Sequence, residues 1–112
     1  MNREEYVEYH RQLCDAARAL SVRKNNDYAG DGGRKPFANF ERVESMGVTT
    51  TTKGFLVRIV DKVSRLAEFS KTGHFEVTDE SFEDTCQDII NYVCLMAAHR
   101  HATREPPPDT LH

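Results

Sequence analysis

This sequence lacks the features that usually staple or anchor a small protein. Cysteine occurs three times, at Cys14, Cys86 and Cys94, with no CxxC pair and no zinc-type spacing. An odd count without a framework argues against a disulfide scaffold and reads as reduced thiols in a cytosolic protein. Positive charge is not in surplus: 15 Lys and Arg face 18 Asp and Glu, a formal net charge of −3. That removes any bulk electrostatic case for duplex nucleic acid or an anionic membrane, although local basic clusters could hold a few phosphates. There is no N-terminal apolar h-region, and no apolar run approaches the length of a membrane span. Strand patterning is missing too, except for "HFEV" at 74–77, which is too short to build a sheet.

Two glycine-loop chemistries are also excluded. The stretch "RKNNDYAGDGGRKPFANF", 23–40, contains no GxxxxGK[ST] phosphate cradle. A calcium loop starting at Asp27 would place Ala29 at its third position and Ala38 where the bidentate glutamate belongs.

What remains is helical periodicity. At 112 residues the chain is one domain. We expect an all-α bundle of about four helices over residues 1–101, with a glycine-rich loop at 23–36 and a disordered tail at 102–112. The tail is set by Pro106 to Pro108, which no helix continues through. The first helix spans 3–22, with Tyr6, Leu13, Ala16, Ala17 and Leu20 at helical spacing. A short second helix covers 37–46 and ends at Gly47; the threonines at 49–52 cap a third over 53–71, which Gly73 closes.

The third helix gathers Phe55, Leu56, Ile59, Val60, Val63, Leu66 and Ala67 on one face. Arg58, Asp61 and Arg65 stack along the opposite one. The fourth is expected to start at Thr78 as N-cap, with Asp79 and Glu80 at the positive end of its dipole and a staple between Val77 and Phe82. Phe82, Cys86, Ile89, Ile90, Val93, Met96 and Ala97 form its expected core face. Glu80, Asp84, Asp88 and Asn91 lie on the far side, which turns apolar at Leu95 and Ala98. Such a helix is central in the fold or covered by a second subunit, so a homo-oligomer is expected.

Each cluster has a plain reading beside a functional one. The acidic row Glu80, Asp84, Asp88 with Asn91 is either a solvated face or a set of oxygen ligands on successive turns, the arrangement that holds Mg²⁺ with nucleotide phosphates. Three like charges on one line repel, so a counter-charge must be near. Arg58, Asp61 and Arg65 either pair along their helix or, with Lys62 beside them, receive a phosphate or a base edge. The glycine-rich stretch is either a linker or a loop over a ligand. No histidine is assigned a role, and no catalytic residue is assigned.

The ordered pieces "KNNDY", "PFANF", "RIVDKVSRL" and "VTDESFEDTCQDIINYV" resemble the nucleotide-modification-associated domain 1 family of phages and bacteria. The resemblance runs from about Lys24 to Tyr92. It implies a nucleotide-type ligand and places Lys24, Asp27, Tyr28, Asn39, Arg58, Asp61, Lys62, Arg65, Asp84, Asp88 and Asn91 at family-type positions. A more distant similarity is to the all-α nucleotide pyrophosphohydrolases of the MazG and dimeric dUTPase type. Their E-E-x-x-E element is reduced here to Glu41 and Glu44, and Thr85 stands three before Asp88.

Three functional expectations follow. The first is a phage-type cytoplasmic protein, in the host cytoplasm if phage-encoded, that binds a nucleotide or nucleotide-derived molecule between the third and fourth helices under the glycine-rich loop. A binder of this kind could sequester a host nucleotide signal, an anti-defence role. Lys24, Arg58, Lys62 and Arg65 would hold phosphates, Tyr28 or Phe40 would stack on a base, and Asp84, Asp88 and Asn91 would read polar edges or hold Mg²⁺, with Asp27 and Asn39 also among the ligand-binding residues. The second is a Mg²⁺-dependent nucleoside triphosphate pyrophosphohydrolase with metal ligands among Asp61, Glu80, Asp84 and Asp88. The third is a structural module with a solvated acidic face. In that case removing Asp84 and Asp88 should leave stability unchanged or raise it.

Overall fold

The computed structural model describes residues 1–29, 35–75 and 81–104, with residues 25–29 described by backbone alone. Four helices follow in order: α1 (Arg3–Ala29), α2 (Ala38–Ser45), α3 (Thr51–Thr72) and α4 (Phe82–Thr103). The expected all-α class holds among the described residues, which contain no strand. No described helix is long and apolar enough to cross a membrane.

The helix ends follow local chemistry. At α3 the Thr50 hydroxyl accepts from the Lys53 N–H at 3.2 Å, and Glu44 of α2 accepts from the Thr51 N–H at 2.7 Å. Two donors that the helix cannot satisfy itself are thus met, one by a cap and one by a neighbouring helix. Gly73 stops α3 in the left-handed region (φ 80°), where glycine carries no Cβ penalty. Gly54 serves packing: a Cβ there would lie 3.1 Å from the Val43 side chain, so α2 can lie close on α3.

Three expected boundaries are corrected. The tail does not begin at 102, because α4 continues through Ala102 to Thr103. The first helix does not stop at 22; it runs to Ala29, so Arg23–Ala29, expected as loop, is helical. The fourth helix starts at Phe82 and is capped by Ser81, not Thr78, which with Val77 and Glu80 lies outside the described residues. Ser81 and Asp84 form a capping box: the Ser81 Oγ accepts from the Asp84 N–H at 3.0 Å, and Asp84 Oδ2 accepts from the Ser81 N–H at 3.2 Å. Ser81→Ala should lower stability by about 1 kcal/mol, read as a lower urea midpoint with an unchanged slope.

The packing places α4 at the centre. It lies between α3 and α1, while α2 bridges α3 and α1; among the described residues α1 and α3 do not pack on each other. The inner face of α1 is Leu13, Ala17, Leu20, Ser21 and Lys24, with Ala17 wholly buried. Its small side chain permits close approach. Phe55 of α3 is the largest fully buried side chain among the described residues. Its ring stacks on Phe40 at 4.5 Å between centroids and 25° between planes. A second aromatic group, Phe69 with Phe75 and Phe82, closes the other end of the α3–α4 pair.

The orientation of α4 differs from the sequence expectation. Thr85 is its most buried residue, and Asp88, Asn91, Tyr92 and Leu95 face inward. Phe82, Val93 and Ala97 from the expected core face are exposed, as is Ala98. The helix therefore is not buried all round toward its C-terminus in the protomer. The cause is α1, whose Lys24 supplies a counter-charge that lets an acidic position sit inside.

Candidate functional site

The inward line on α4 repeats as Asp88, Asn91, Tyr92 and Leu95, spaced i, i+3, i+4, i+7, one stripe of a helix. Ser21 and Lys24, three apart on α1, face it. Lys35, Pro36, Asn39 and Phe40 close it from the entry to α2, and Arg58 reaches it from α3. These residues line one cavity of about 360 Å³. The expected ligand position is between α3 and α4; this cavity lies elsewhere. The cavity lies mainly among α1, α2 and α4, with α3 contributing its rim.

Asp88 anchors the cavity. Its Oδ2 lies 2.9 Å from the Lys62 ammonium and its Oδ1 lies 3.2 Å from that of Lys24, so one carboxylate ties α4 to both α3 and α1. Asp88 and Lys62 keep only 13% and 14% of their side-chain surface. Burial pushes the Asp88 carboxyl up, but the bonds and charges of Lys62 and Lys24 outweigh it and hold the group below its ordinary range. The counter-charge that the acidic row required is therefore present as two lysines. With Arg58 and Lys35 on the lining, the charged groups around the cavity are net positive in a chain of net charge −3.

The aromatic wall is continuous with the core. Phe40 meets Tyr92 edge to face at 6.1 Å and stacks on Phe55 behind it. His99 secures the same cluster from α4: Phe37 packs edge-on at 5.1 Å, and the His99 Nε2 lies 3.1 Å from the Glu41 carboxylate. Asn91 brings amide chemistry. Its Nδ2 is shielded from solvent and has no hydrogen-bond partner among the described residues. A buried polar atom left unpaired costs free energy until something pairs with it.

Of the positions singled out in the sequence, Lys24, Asn39, Phe40, Arg58, Asp88 and Asn91 come together at this cavity. Lys62 does not line it but stands behind Asp88. Arg65 pairs with Asp61 at 3.3 Å on the α3 surface, away from the lining. Asp84 is engaged in the α4 capping box. The side chains of Asp27 and Tyr28, and all of Glu80, lie outside the described residues. Among the described residues no three acidic, histidine or cysteine groups converge as a metal site; Glu80, the fourth expected Mg²⁺ ligand, lies outside them.

The sequence reading missed Ser21, Lys35, Pro36, Tyr92 and Leu95. Periodicity already puts Leu95 on the Asp88–Asn91 side of α4 without assigning it to a site, and stepping back one turn from Lys24 would have reached Ser21. Cys86 is not a nucleophile candidate: burial and the nearby Glu83 push its thiol up. No family model, curated protein or solved structure matches this chain.

Proposed function

We propose that the protein binds a nucleotide or nucleotide-derived molecule in this cavity. The observation that carries the reading is convergence. Six motif positions scattered from 24 to 91 over four helices line one pocket of about 360 Å³. Their chemistry is complementary to a flat, polar-edged anion. Lys24, Lys35 and Arg58 supply charge for phosphate, Phe40 and Tyr92 supply ring surface, and Asn39 and Asn91 supply donors and acceptors for base edges. The volume lies near the small end of ligand pockets, which run from about 300 Å³ upward, and suits one nucleotide unit. The motif resemblance points to the same ligand class.

Binding without turnover is the better-supported form. Among the described residues Asp88 is engaged by two lysines and Asp84 by the helix cap, which leaves few carboxylates there for a metal. Metal-assisted hydrolysis needs several acids on one ion. A protein that binds and does not cleave would act by sequestering a nucleotide signal.

The test is to incubate the purified protein with a panel of nucleoside mono- and triphosphates and cyclic dinucleotides, with and without Mg²⁺. The protein is then heat-denatured and the released compounds are analysed. Recovery of one compound intact is expected. Arg58→Ala should weaken its binding roughly 10- to 100-fold, the worth of one charge-assisted contact, by isothermal calorimetry. Release of pyrophosphate with a monophosphate would favour the hydrolase instead. A panel that neither binds nor changes would remove the nucleotide reading.

A further inference from the structure

The α3–α4 pair has two sides, and only one is covered by the described helices. On the covered side α2 packs on α3 and α1 packs on α4. On the other, α3 presents Leu56, Val60, Val63 and Ala67, spaced by four, three and four residues. There α4 presents Phe82, Cys86, Ile90, Val93 and Ala97. Leu56 is 44% exposed, Val60 62%, Val63 49% and Val93 43%. No charged residue interrupts either line; Lys53, Glu68 and Lys71 flank the α3 seam and Arg100 ends the α4 seam. The face thus has an apolar centre and a polar rim carrying both signs of charge, the anatomy of a protein interface.

We propose that this face is the interface with a second copy of the chain, two α3–α4 pairs closing into a four-helix bundle about a two-fold axis. Spacing of four and three is the pattern of a helix that receives the knobs of another helix. The extent is adequate. Two helices of 22 residues, each about 33 Å long and set about 10 Å apart, offer a footprint on the order of 600 Å². That is about 1,200 Å² over both partners, the lower end of the roughly 1,200–2,000 Å² range of stable interfaces, and monomers rarely expose contiguous apolar patches larger than a few hundred Å².

Burial within the protomer points the same way. Ala17 and Phe55 are the only fully buried hydrophobic side chains among the described residues. Five of the exposed large hydrophobic residues, Leu56, Val60, Val63, Phe82 and Val93, gather on this one uncovered face. A two-fold partner covers it with the same residues, since such an interface uses one self-complementary patch on both copies. The rim does not favour a membrane, because its basic residues are interleaved with Glu68 and Glu83.

Sedimentation equilibrium of the wild-type chain at about 10 to 100 μM tests the inference, and it is independent of any nucleotide. A mass of at least twice the 12.8 kDa protomer is expected, with Val60→Glu lowering it to the protomer mass. Val60 already stands in solvent, so the added charge meets no protomer packing. Wild-type protein that remains at the protomer mass over this range overturns the proposal, even if it captures some other partner. A Val60→Glu protein that keeps the higher mass overturns it as well. If Val60→Glu loses its helical signal, the wild-type thermal midpoint decides: a midpoint that rises with protein concentration supports coupled folding and association, and a constant one overturns it.

Discussion

Phe55→Ala is expected to lower the unfolding free energy by about 3–5 kcal/mol, the usual cost of removing a fully buried phenylalanine. Phe55 has no exposed surface and contacts both ends of the aromatic cluster, Phe40 by stacking and His99 at 6.0 Å. The hole left behind cannot close easily, because Gly54 already brings α2 as near to α3 as Val43 allows. A domain of this size holds roughly 5–15 kcal/mol in total, so the loss takes a large share of its stability. Urea denaturation gives the number, and a loss below about 1 kcal/mol would contradict the packing described. The substitution should also weaken any cavity ligand, although Phe55 does not line the cavity. Phe40 would lose the ring that fixes its plane. Phe55→Leu should recover part of the stability but little of the affinity, because bulk supports the core while a flat ring supports Phe40.

The sequence disclosed the elements better than their orientation. Apolar spacing identified α3, the glycines marked its end and that of α2, and the motif positions included most of the polar cavity lining. The inside of α4 was not legible because periodicity reports only where apolar residues repeat. Asp88 and Asn91 look like a solvent row unless Lys24, 64 positions away, and Lys62 on another helix are known to meet them. An acid that finds two cations inside reverses the usual sense of a helix face. The start of α4 was legible in principle. Ser81 with Asp84 three residues on is a capping-box pattern, but Thr78 followed by two acids offered the stronger dipole argument. His99 could not be found from sequence at all. Its neighbours Phe37 and Glu41 come from α2 and the turn before it, and only tertiary packing joins them to the end of α4.

The end of α1 shows the same coupling. Asn25 and Asn26 are poor helix formers, and local propensity ends the helix before them. The ion pair between Lys24 and Asp88 holds the preceding turn against α4, and α1 continues to Ala29. Tertiary contact outweighs a few tenths of a kcal/mol per residue of unfavourable propensity. The uncovered face of α3 and α4 follows from the same division. The polar stripe of α4 is used inside the protomer, which leaves its most hydrophobic stripe outside.

Asp88→Asn separates the structural use of the carboxylate from any metal-binding use. It should cost about 2–4 kcal/mol, somewhat less than a fully buried pair, because Lys62 stays nearly buried without its counter-charge while Lys24 can turn to solvent. This reverses the outcome expected of a functionless, self-repelling acidic row. The pH dependence carries a sign. The folded-state carboxyl is held below its ordinary value by Lys62 and Lys24 against the opposing effect of burial. Its contribution is therefore fully present above the unfolded value of about 3.9, and it is lost as pH falls through the lower folded value. The wild type should exceed Asp88→Asn by a constant margin from about pH 5 to 8, and the margin should shrink progressively as pH falls below about 4. A margin that does not shrink at all on acidification would show that the carboxylate charge is not what stabilises. In ligand binding the two roles diverge further. If Asp88 serves only to hold the lysines, Asp88→Asn leaves Lys24 free to meet a phosphate, and affinity is retained with no dependence on Mg²⁺. If Asp88 ligates a metal, the same substitution abolishes a Mg²⁺-dependent component of binding. The paired lysines favour the first outcome, because an ammonium at 2.9 Å and another at 3.2 Å already occupy both oxygens.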